Sequence, residues 1–136
     1  MGFSVVSCRG NTILGGFSTS VPLGLSYGSI VHNTILGDVS QEAARWDWRF
    51  SGNIVAGETS VLAGEGDFAV THNDCVGGLS VSASSDSVYA NVSVDPLFCD
   101  VDGGDFSLQA CSPCVGAAHD GGDIGAHGIG CPCGVA

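Results

Sequence analysis

The chain has 136 residues, the length of a single domain, and 44% of them are hydrophobic while only 12% are charged. This composition supplies enough apolar side chains for a core, and it excludes a disordered chain held open by its charge. Three arginines and no lysine stand against 14 acidic residues, for a net charge of −11. So few cations exclude a basic face for binding nucleic acid and disfavour binding to an anionic membrane.

No targeting segment is predicted from the amino-terminal residues. Residues 1–4 lack the basic start and the long apolar stretch of a signal peptide. Residues 11–37 carry no charge, but polar residues and Pro22 interrupt them, so they do not predict a membrane-spanning helix. We therefore expect no membrane partner.

Short apolar or alternating runs along the chain predict β-strands. They fall, in chain order, at residues 3–6, 29–31, 54–56, 68–70 and 88–94. Residues 40–45 are the one stretch whose composition suits a single helical turn. The chain is therefore predicted to be almost entirely β.

A repeated pentapeptide is the strongest pattern in the sequence. Asn-Thr-Ile-Leu-Gly at residues 11–15 recurs unchanged at 33–37, and residues 52–57 and 72–77 are looser copies. The asparagines of these copies are Asn11, Asn33, Asn53 and Asn73. A period near 20 residues, with strands and turns but no helix, predicts a solenoid of β-coils.

Stacking of successive coils about 4.8 Å apart gives the repeated residues a structural role. We expect the asparagines to form a hydrogen-bonded ladder along one corner, because asparagine tolerates the left-handed backbone that such corners require. We also expect an internal column of apolar side chains, made by Ile13, Ile35, Ile54 and Cys75.

The carboxyl-terminal part carries different motifs, which are Asp-Pro-Leu-Phe-Cys-Asp at 95–100, Gly-Asp-Phe-Ser-Leu at 104–108, Ser-Pro-Cys at 112–114 and Asp-Ile-Gly-Ala at 123–126. Together with the repeated coils, they resemble the closing segment of bacterial secreted right-handed parallel β-helix repeat proteins. The resemblance implies one all-β domain, a right-handed parallel β-helix of about five coils. The coils would occupy residues 1–94 and a loop-rich closing segment residues 95–136.

The resemblance implies little about activity, because the family includes polysaccharide lyases, glycoside hydrolases, epimerases and members without an assigned activity. It implies an extracellular or periplasmic parent protein, of which this chain would be a fragment that lacks some coils and the amino-terminal cap. An uncapped first coil, residues 3–22, would expose unpaired backbone groups. We therefore expect a homodimer in which two such edges pair about a two-fold axis.

Five of the seven cysteines lie in the closing segment, namely Cys99, Cys111, Cys114, Cys131 and Cys133. In secreted relatives they would form disulfides that stabilise a strand-poor segment. The alternatives are a zinc ion held by the last four of these thiolates, or free thiols. Cys8 and Cys75 are predicted to be small core residues.

Residues 45–50, Arg-Trp-Asp-Trp-Arg-Phe, form the one basic and aromatic cluster. In a strand the arginines would occupy one face and the tryptophans the other. The aromatic side chains could simply belong to the core. The alternative is a carbohydrate-binding platform, in which a tryptophan stacks on a sugar ring and arginine binds its carboxylate. Its residues would be Arg45, Trp46, Trp48 and Arg49.

Two histidines occupy the same position in different coils. His32 and His72 each precede a repeat asparagine, and Gly52 stands at that position in the coil between them. If the residue before each asparagine points outwards, the two imidazoles lie about 9.6 Å apart, twice the coil spacing. With Asp74 as a carboxylate ligand, His32 and His72 predict a zinc site with an open position, as in hydrolases. The alternative is that two outward histidines align by coincidence.

A second group of histidines and acids lies near the carboxyl terminus. The group comprises His119, Asp120, Asp123 and His127. His119 and Asp120 fall in a segment expected to be flexible, and metal binding by the group is disfavoured. Asp123 begins the Asp-Ile-Gly-Ala motif, where we expect it to cap a turn.

Three classes of function remain open. The first, which the resemblance favours, is a carbohydrate-binding or carbohydrate-active surface acting on a glycan or small molecule, with calcium as the usual metal of lyases. The second is a zinc-dependent hydrolase centred on His32, His72 and Asp74. The third is a purely structural solenoid. The sequence does not decide whether the protein is an enzyme.

Overall fold

The computed structural model describes residues 3–13, 15, 17–21, 25–43, 47–63, 68–82 and 88–133. The regular elements of these residues are sixteen β-strands. Their parallel pairing builds a β-solenoid of about four turns, which confirms the all-β class and the stacked-coil architecture. In the described part of the chain, no helix is long and apolar enough to cross a membrane.

Four successive coils each contribute one strand to each of three parallel sheets, and one further strand extends the first sheet. In order of pairing, the first sheet contains β1 (Phe3–Arg9), β4 (Leu25–Val31), β7 (Asp47–Ser51), β10 (Phe68–Thr71) and β13 (Val88–Tyr89). The second sheet contains β2 (Thr12–Ile13), β5 (Thr34–Ile35), β8 (Ile54–Val55) and β11 (Asp74–Cys75). The third contains β3 (Phe17–Val21), β6 (Val39–Ala43), β9 (Thr59–Ala63) and β12 (Leu79–Ser82).

The predicted helical turn at residues 40–45 is wrong for the residues described there. Residues 40–43 belong to β6, where Ser40 pairs with Ser18 on one side and with Ser60 on the other. An isolated helix of a few residues is unstable in water. Pairing with a strand on each side satisfies the backbone groups of this segment, so tertiary contacts override the local preference.

The apolar column inside the second sheet differs from the prediction at one rung. The residues that pair in register are Ile13, Ile35, Val55 and Cys75. Ile54 instead pairs with Thr34 and Asp74. Because successive side chains of a strand point to opposite faces, Ile54 faces away from the main core and packs in a second one. In the third copy the isoleucine directly follows the asparagine, one position earlier than in the first two copies. Matching the copies by their isoleucines therefore put Ile54 in the wrong column.

The asparagine ladder is confirmed, and it has a fifth rung. The backbone N–H of each asparagine donates to the side-chain Oδ1 of the asparagine one coil further on. These bonds are Asn11 to Asn33 (2.9 Å), Asn33 to Asn53 (2.9 Å), Asn53 to Asn73 (2.9 Å) and Asn73 to Asn91 (3.1 Å). Asn91 follows Asn73 by only 18 residues and lacks the rest of the motif, so the repeat did not reveal it.

The left-handed backbone lies one residue before each ladder asparagine, and not at the asparagine as predicted. These corner residues and their φ values are Gly10 (70°), His32 (55°), Gly52 (69°), His72 (56°) and Ala90 (60°). A residue with a Cβ pays a steric cost of roughly 1–2 kcal/mol in this conformation, whereas glycine does not. Two coils nevertheless carry histidine at the corner.

The closing segment forms a small mixed sheet beside the solenoid. Its strands are β14 (Phe98–Asp100), β15 (Asp105–Gln109) and β16 (Ile129–Cys131), with β15 in the centre. A disulfide between Cys99 and Cys131 joins the two outer strands, which confirms one disulfide in this segment. Because Cys131 is disulfide-bonded, the alternative of a zinc ion held by four thiolates does not fit this structure.

Residues 110–128, which connect β15 to β16, run along the flank formed by the second sheet. We call this segment the strap. The hydrogen bonds that join it to the coils include Cys114 Sγ to Asp74 Oδ2 (3.4 Å), the Gly125 N–H to the Gly52 carbonyl (2.7 Å), the Ala126 N–H to Thr34 Oγ1 (3.0 Å) and His127 Nε2 to Thr12 Oγ1 (2.8 Å). A second apolar core, which includes Ile54, Leu108 and Ile124, lies under the strap.

Candidate metal centre

His32 and His72 share one corner of the solenoid, as their spacing predicted. Both have the left-handed backbone, and the corner of the coil between them is Gly52. A Cβ on Gly52 would lie 3.2 Å from Nδ1 of His32. The missing side chain at residue 52 therefore leaves the space that the His32 ring occupies.

The strap holds His32 at both ring nitrogens. Nδ1 lies 3.0 Å from the backbone carbonyl oxygen of Asp123, and Nε2 lies 2.9 Å from Oδ2 of Asp120. Because a carbonyl oxygen can only accept a hydrogen bond, Nδ1 carries a proton and donates it. The other ring nitrogen, Nε2, faces the Asp120 carboxylate oxygen. The contact between Nε2 and Oδ2 is attractive only when a proton or another cation lies between them.

Asp120 supplies a carboxylate that is ionised across the neutral and mildly acidic range. Its Oδ1 accepts the backbone N–H of Gly122 at 3.0 Å. This bond first, and the bond with His32 second, lower the pKa of Asp120 to about 2. The Asp120 side chain is 43% exposed, so an ion from solvent can reach it.

His119, also in the strap, brings a third side chain to the group. Its ring centroid lies 5.7 Å from that of His32 and 6.4 Å from that of His72. Its Nδ1 is buried and has no hydrogen-bond partner in the described part of the chain. Burial lowers the pKa of His119, and the nearby charge of Asp120 opposes this shift only in part. The neutral imidazole, which is the form that binds metals, is therefore favoured.

Three donor atoms converge at this place. One donor atom each from His32, His119 and Asp120 lies within 4.8 Å of the other two. A tetrahedral zinc ion with ligands at about 2.1 Å holds its donor atoms about 3.4 Å apart. Nε2 of His32 and Oδ2 of Asp120 are already 2.9 Å apart, so this pair would move slightly apart around zinc. A donor pair near the 4.8 Å limit would close in by about an ångström, a shift on the scale of side-chain rotation.

His72 lies beside this group. Tyr89 packs edge-on against its ring, with centroids 5.8 Å apart. Nδ1 of His72 is buried without a hydrogen-bond partner among the residues described. His72 thus lines the cluster, while the three donors that converge are those of His32, His119 and Asp120.

Asp74, the carboxylate predicted to join His32 and His72, makes its hydrogen bonds elsewhere. It is completely buried under the strap. Its Oδ1 accepts the backbone N–H of Val94 at 3.1 Å, and its Oδ2 accepts the Cys114 thiol at 3.4 Å. The carboxylate that the structure brings to His32 is that of Asp120.

Sequence reasoning missed the partners of His32 because Asp120 and Asp123 lie 88 and 91 residues further along the chain, in the strap. The available clue was the His119–Asp120 pair just before the Asp-Ile-Gly-Ala motif. Asp123, which was expected to cap the turn of its own motif, instead accepts the backbone N–H of Gly116 with its Oδ1 at 2.8 Å, seven residues earlier in the strap. Its backbone carbonyl accepts the hydrogen bond from His32.

Most side chains of the predicted carbohydrate platform lie outside the described part of the structure. Arg45 and Trp46 lie outside the described residues, and nothing is described of the Trp48 side chain. Arg49 is exposed on β7, and its neighbour Phe50 is buried, as strand alternation requires. The charge of Arg49 contributes to the lowered pKa of His119, so Arg49 lies near the histidines. The carbohydrate platform stays a prediction.

Comparisons with known protein families, with curated proteins and with solved structures found no match to this chain. The assignment as a parallel β-solenoid therefore rests on the pairing of its own strands.

Proposed function

We propose that this protein binds a divalent transition metal, zinc in the first place, at His32, His119 and Asp120, and that the ion serves a hydrolytic centre. The contact of His32 with the strap carries the proposal. Its Nδ1–H donates to the Asp123 carbonyl, which leaves Nε2 as the donor that faces Asp120. A metal-binding histidine is oriented in the same way, by a hydrogen bond from its other ring nitrogen.

The donor set suits hydrolysis. Two imidazoles and one carboxylate fill three positions of a tetrahedral zinc and leave the fourth for water. A bound zinc lowers the pKa of that water to about 7 and makes it a nucleophile at neutral pH. Arg49 supplies a positive charge near His119, in a protein whose net charge is −11, so we expect a substrate with an anionic group.

The backbone at residue 32 supports a functional role for the histidine. The same corner is glycine in two other coils, at Gly10 and Gly52, so the fold itself does not require a side chain there. Strained non-glycine residues persist mainly at functional sites.

Calorimetric titration of the metal-free protein with zinc tests the proposal. The wild type is expected to bind one ion, and His32→Gly and His119→Ala should each weaken binding by about 100-fold or more. Glycine is chosen at residue 32 because it suits the left-handed corner. His127→Ala is the matched control, because His127 lies in the same strap but bonds to Thr12 and is not among the three donors.

Two results would contradict the proposal. A wild-type protein that binds no zinc would refute the metal site, as would equal zinc affinity in the His119→Ala and His127→Ala variants. The hydrolytic part is tested separately with nitrophenyl esters of carboxylic and phosphoric acids. If zinc binds but hydrolysis by the wild type does not exceed that by His32→Gly, the metal is structural.

We also propose that the chain belongs to the bacterial secreted β-helix repeat proteins and works outside the cytoplasm. The closing motifs support the family, and the Cys99–Cys131 disulfide supports the location, because disulfides persist in oxidising compartments. Expression with and without export to a bacterial periplasm tests the location. Equal yield and stability of the folded protein from a reducing cytoplasm would count against it.

A further inference from the structure

Two cysteines outside the metal centre are held next to each other by the closing sheet. Strands β15 and β16 are parallel, and Gln109 of one pairs with Cys131 of the other. Two residues beyond this pair, a cysteine follows each strand: Cys111 follows β15 and Cys133 follows β16. The Ala110 N–H donates to the Cys131 carbonyl at 3.0 Å, so the pairing continues beyond β15. The register therefore places Cys111 opposite Cys133.

The two thiols are accessible and in contact. Both side chains are exposed. A hydrogen bond between them is the largest cause of the raised pKa of Cys133. Neighbouring strands lie about 4.8 Å apart, and a disulfide spans Cα atoms separated by about 4.4–6.8 Å, so residues paired across neighbouring strands lie within the range of a disulfide.

The other free thiols of the described residues are unsuited to oxidation. Cys75 and Cys114 are both buried. Burial is the main cause that raises the pKa of Cys75 to about 11 and that of Cys114 to about 12. Burial thus shields both sulfurs from an attacking disulfide, whereas Cys111 and Cys133 are exposed to it.

We propose that Cys111 and Cys133 form a second disulfide by exchange with a small-molecule disulfide such as oxidised glutathione. One thiolate attacks the glutathione disulfide, forms a mixed disulfide and releases one reduced glutathione. The second thiolate attacks the protein sulfur of the mixed disulfide, closes the Cys111–Cys133 bond and releases the other glutathione. Two protein thiols are oxidised, one glutathione disulfide is reduced, and the two thiol protons end on the released glutathiones.

The bond would close a loop over residues 111–133, which contains most of the strap. Cys99–Cys131 already ties the far end of that loop to β14. Closing a loop of this length restricts the unfolded chain, so oxidation should raise the melting temperature by about 5 °C or more. The disulfide would thus stabilise the segment that carries His119 and Asp120, whether or not these residues bind a metal.

Thiol counting on the full chain is the first test. Protein treated with oxidised glutathione is denatured, and its free thiols are alkylated and counted by mass. Because the Cys99–Cys131 bond is present before and after treatment, oxidation is expected to lower the thiol count by two. A count that does not change would overturn the proposal.

Peptide mapping identifies the partners. Trypsin is unsuitable because the chain has no lysine and its last arginine is Arg49, so cleavage before aspartate is used. This cleavage yields peptides 95–99, 105–119 and 123–136. After oxidation all three should run as one disulfide-linked species, and without oxidation only 95–99 and 123–136 should be linked.

The variant Cys133→Ser separates the proposed pair from a rival bond between Cys111 and Cys114. Under the proposal, Cys111 in this variant has no partner and should gain a glutathione adduct. If Cys111 instead pairs with Cys114, no adduct appears and the proposal is wrong. Cys111→Ser is the reciprocal variant and should place the adduct on Cys133.

Discussion

At the scale of single residues, the buried pair of Asp74 and Cys114 shows how the strap changes the chemistry of a coil residue. Asp74 is completely buried. Burial raises its pKa, and the hydrogen bond from the Val94 N–H offsets this only in part. The Cys114 thiol, whose pKa is raised to about 12, remains protonated and donates to the carboxylate.

The Asp74→Asn substitution should therefore stabilise the protein increasingly as pH rises. The folded-state pKa lies above the unfolded value of about 3.9, so the unfolded chain loses this proton first. The free energy of unfolding of the wild type then falls as pH rises from about 4 through the folded pKa, by about 1.4 kcal/mol for each unit of the shift. The free energy of unfolding of the Asp74→Asn variant does not fall in this way, because asparagine does not ionise. Urea denaturation at several pH values measures the difference between the two proteins.

Asp105 provides a control of opposite sign. It is exposed, and hydrogen bonds from the Ser107 side chain and backbone lower its pKa. Its favourable contribution is present above the unfolded pKa and is lost as pH falls. Asp105→Asn should therefore become less stable than the wild type as pH rises. The same pH trend in both variants would contradict the burial argument.

At the scale of the elements, the asparagine ladder is the device that joins one coil to the next. In the interior of the ladder each asparagine accepts a backbone N–H from the preceding coil and donates its own to the next. The Asn53 side chain also donates to the Ile30 carbonyl at 2.8 Å. Asn53 is completely buried, whereas Asn11 is exposed at the end of the ladder.

Replacing Asn53 by Leu should cost more stability than replacing Asn11 by Leu. The first change leaves the Asn33 N–H without its acceptor inside the protein, and an unsatisfied buried group costs about 1–3 kcal/mol. It also removes the bonds to Ile30 and Asn73, so we expect a loss of about 3 kcal/mol or more, against about 1 kcal/mol for Asn11. Equal losses in chemical denaturation would contradict the ladder as the main link between coils.

At the scale of the whole molecule, docking of the strap on the coils assembles the candidate metal centre. Gly125 lies close against the coils, because a Cβ there would lie 2.7 Å from Cδ1 of Ile54 and 3.1 Å from Oγ1 of Thr34. Its N–H donates to the Gly52 carbonyl at 2.7 Å. Because Ile54 is buried and has little room to move, we expect a larger residue at position 125 to displace the strap.

The Gly125→Ala substitution should therefore lower zinc affinity by about 10-fold or more without unfolding the coils. Gly121→Ala is the matched control, because Gly121 also has a positive φ, of 83°, but nothing lies within 4 Å of its Cβ position. Calorimetry gives the affinity, and circular dichroism reports the β-structure. A similar loss in both variants would show that backbone strain, and not displacement of the strap, is responsible.

The amino-terminal end of the solenoid bears on assembly. The outermost strands at that end of the three sheets are β1, β2 and β3. Edge strands attract pairing with another chain, which is the reason for expecting a homodimer through residues 3–22. That homodimer stays a prediction. Light scattering on dilute protein measures the mass, and a stable monomer would contradict the prediction.

The sequence by itself determined the coils. Each coil contacts the next through the same positions, so residues such as Asn33 and Asn53 recur with the period of the stack, and the period could be read without a structure. For the same reason the shared corner of His32 and His72 followed from their spacing. The rung at Ile54 was misplaced, because one residue of offset within a copy turns a side chain from the inner face to the outer face.

Only the tertiary structure decided what lies against the outer face of the coils. The strap has no repeat that relates it to the second sheet, so its path depends on packing, such as that of Ile124 and Leu108 around Ile54. That path brings Asp120 to His32 across 88 residues of chain and draws Asp74 into bonds beneath the strap. A local pattern records contacts that repeat along the chain, whereas a contact made once between distant segments leaves no period to detect.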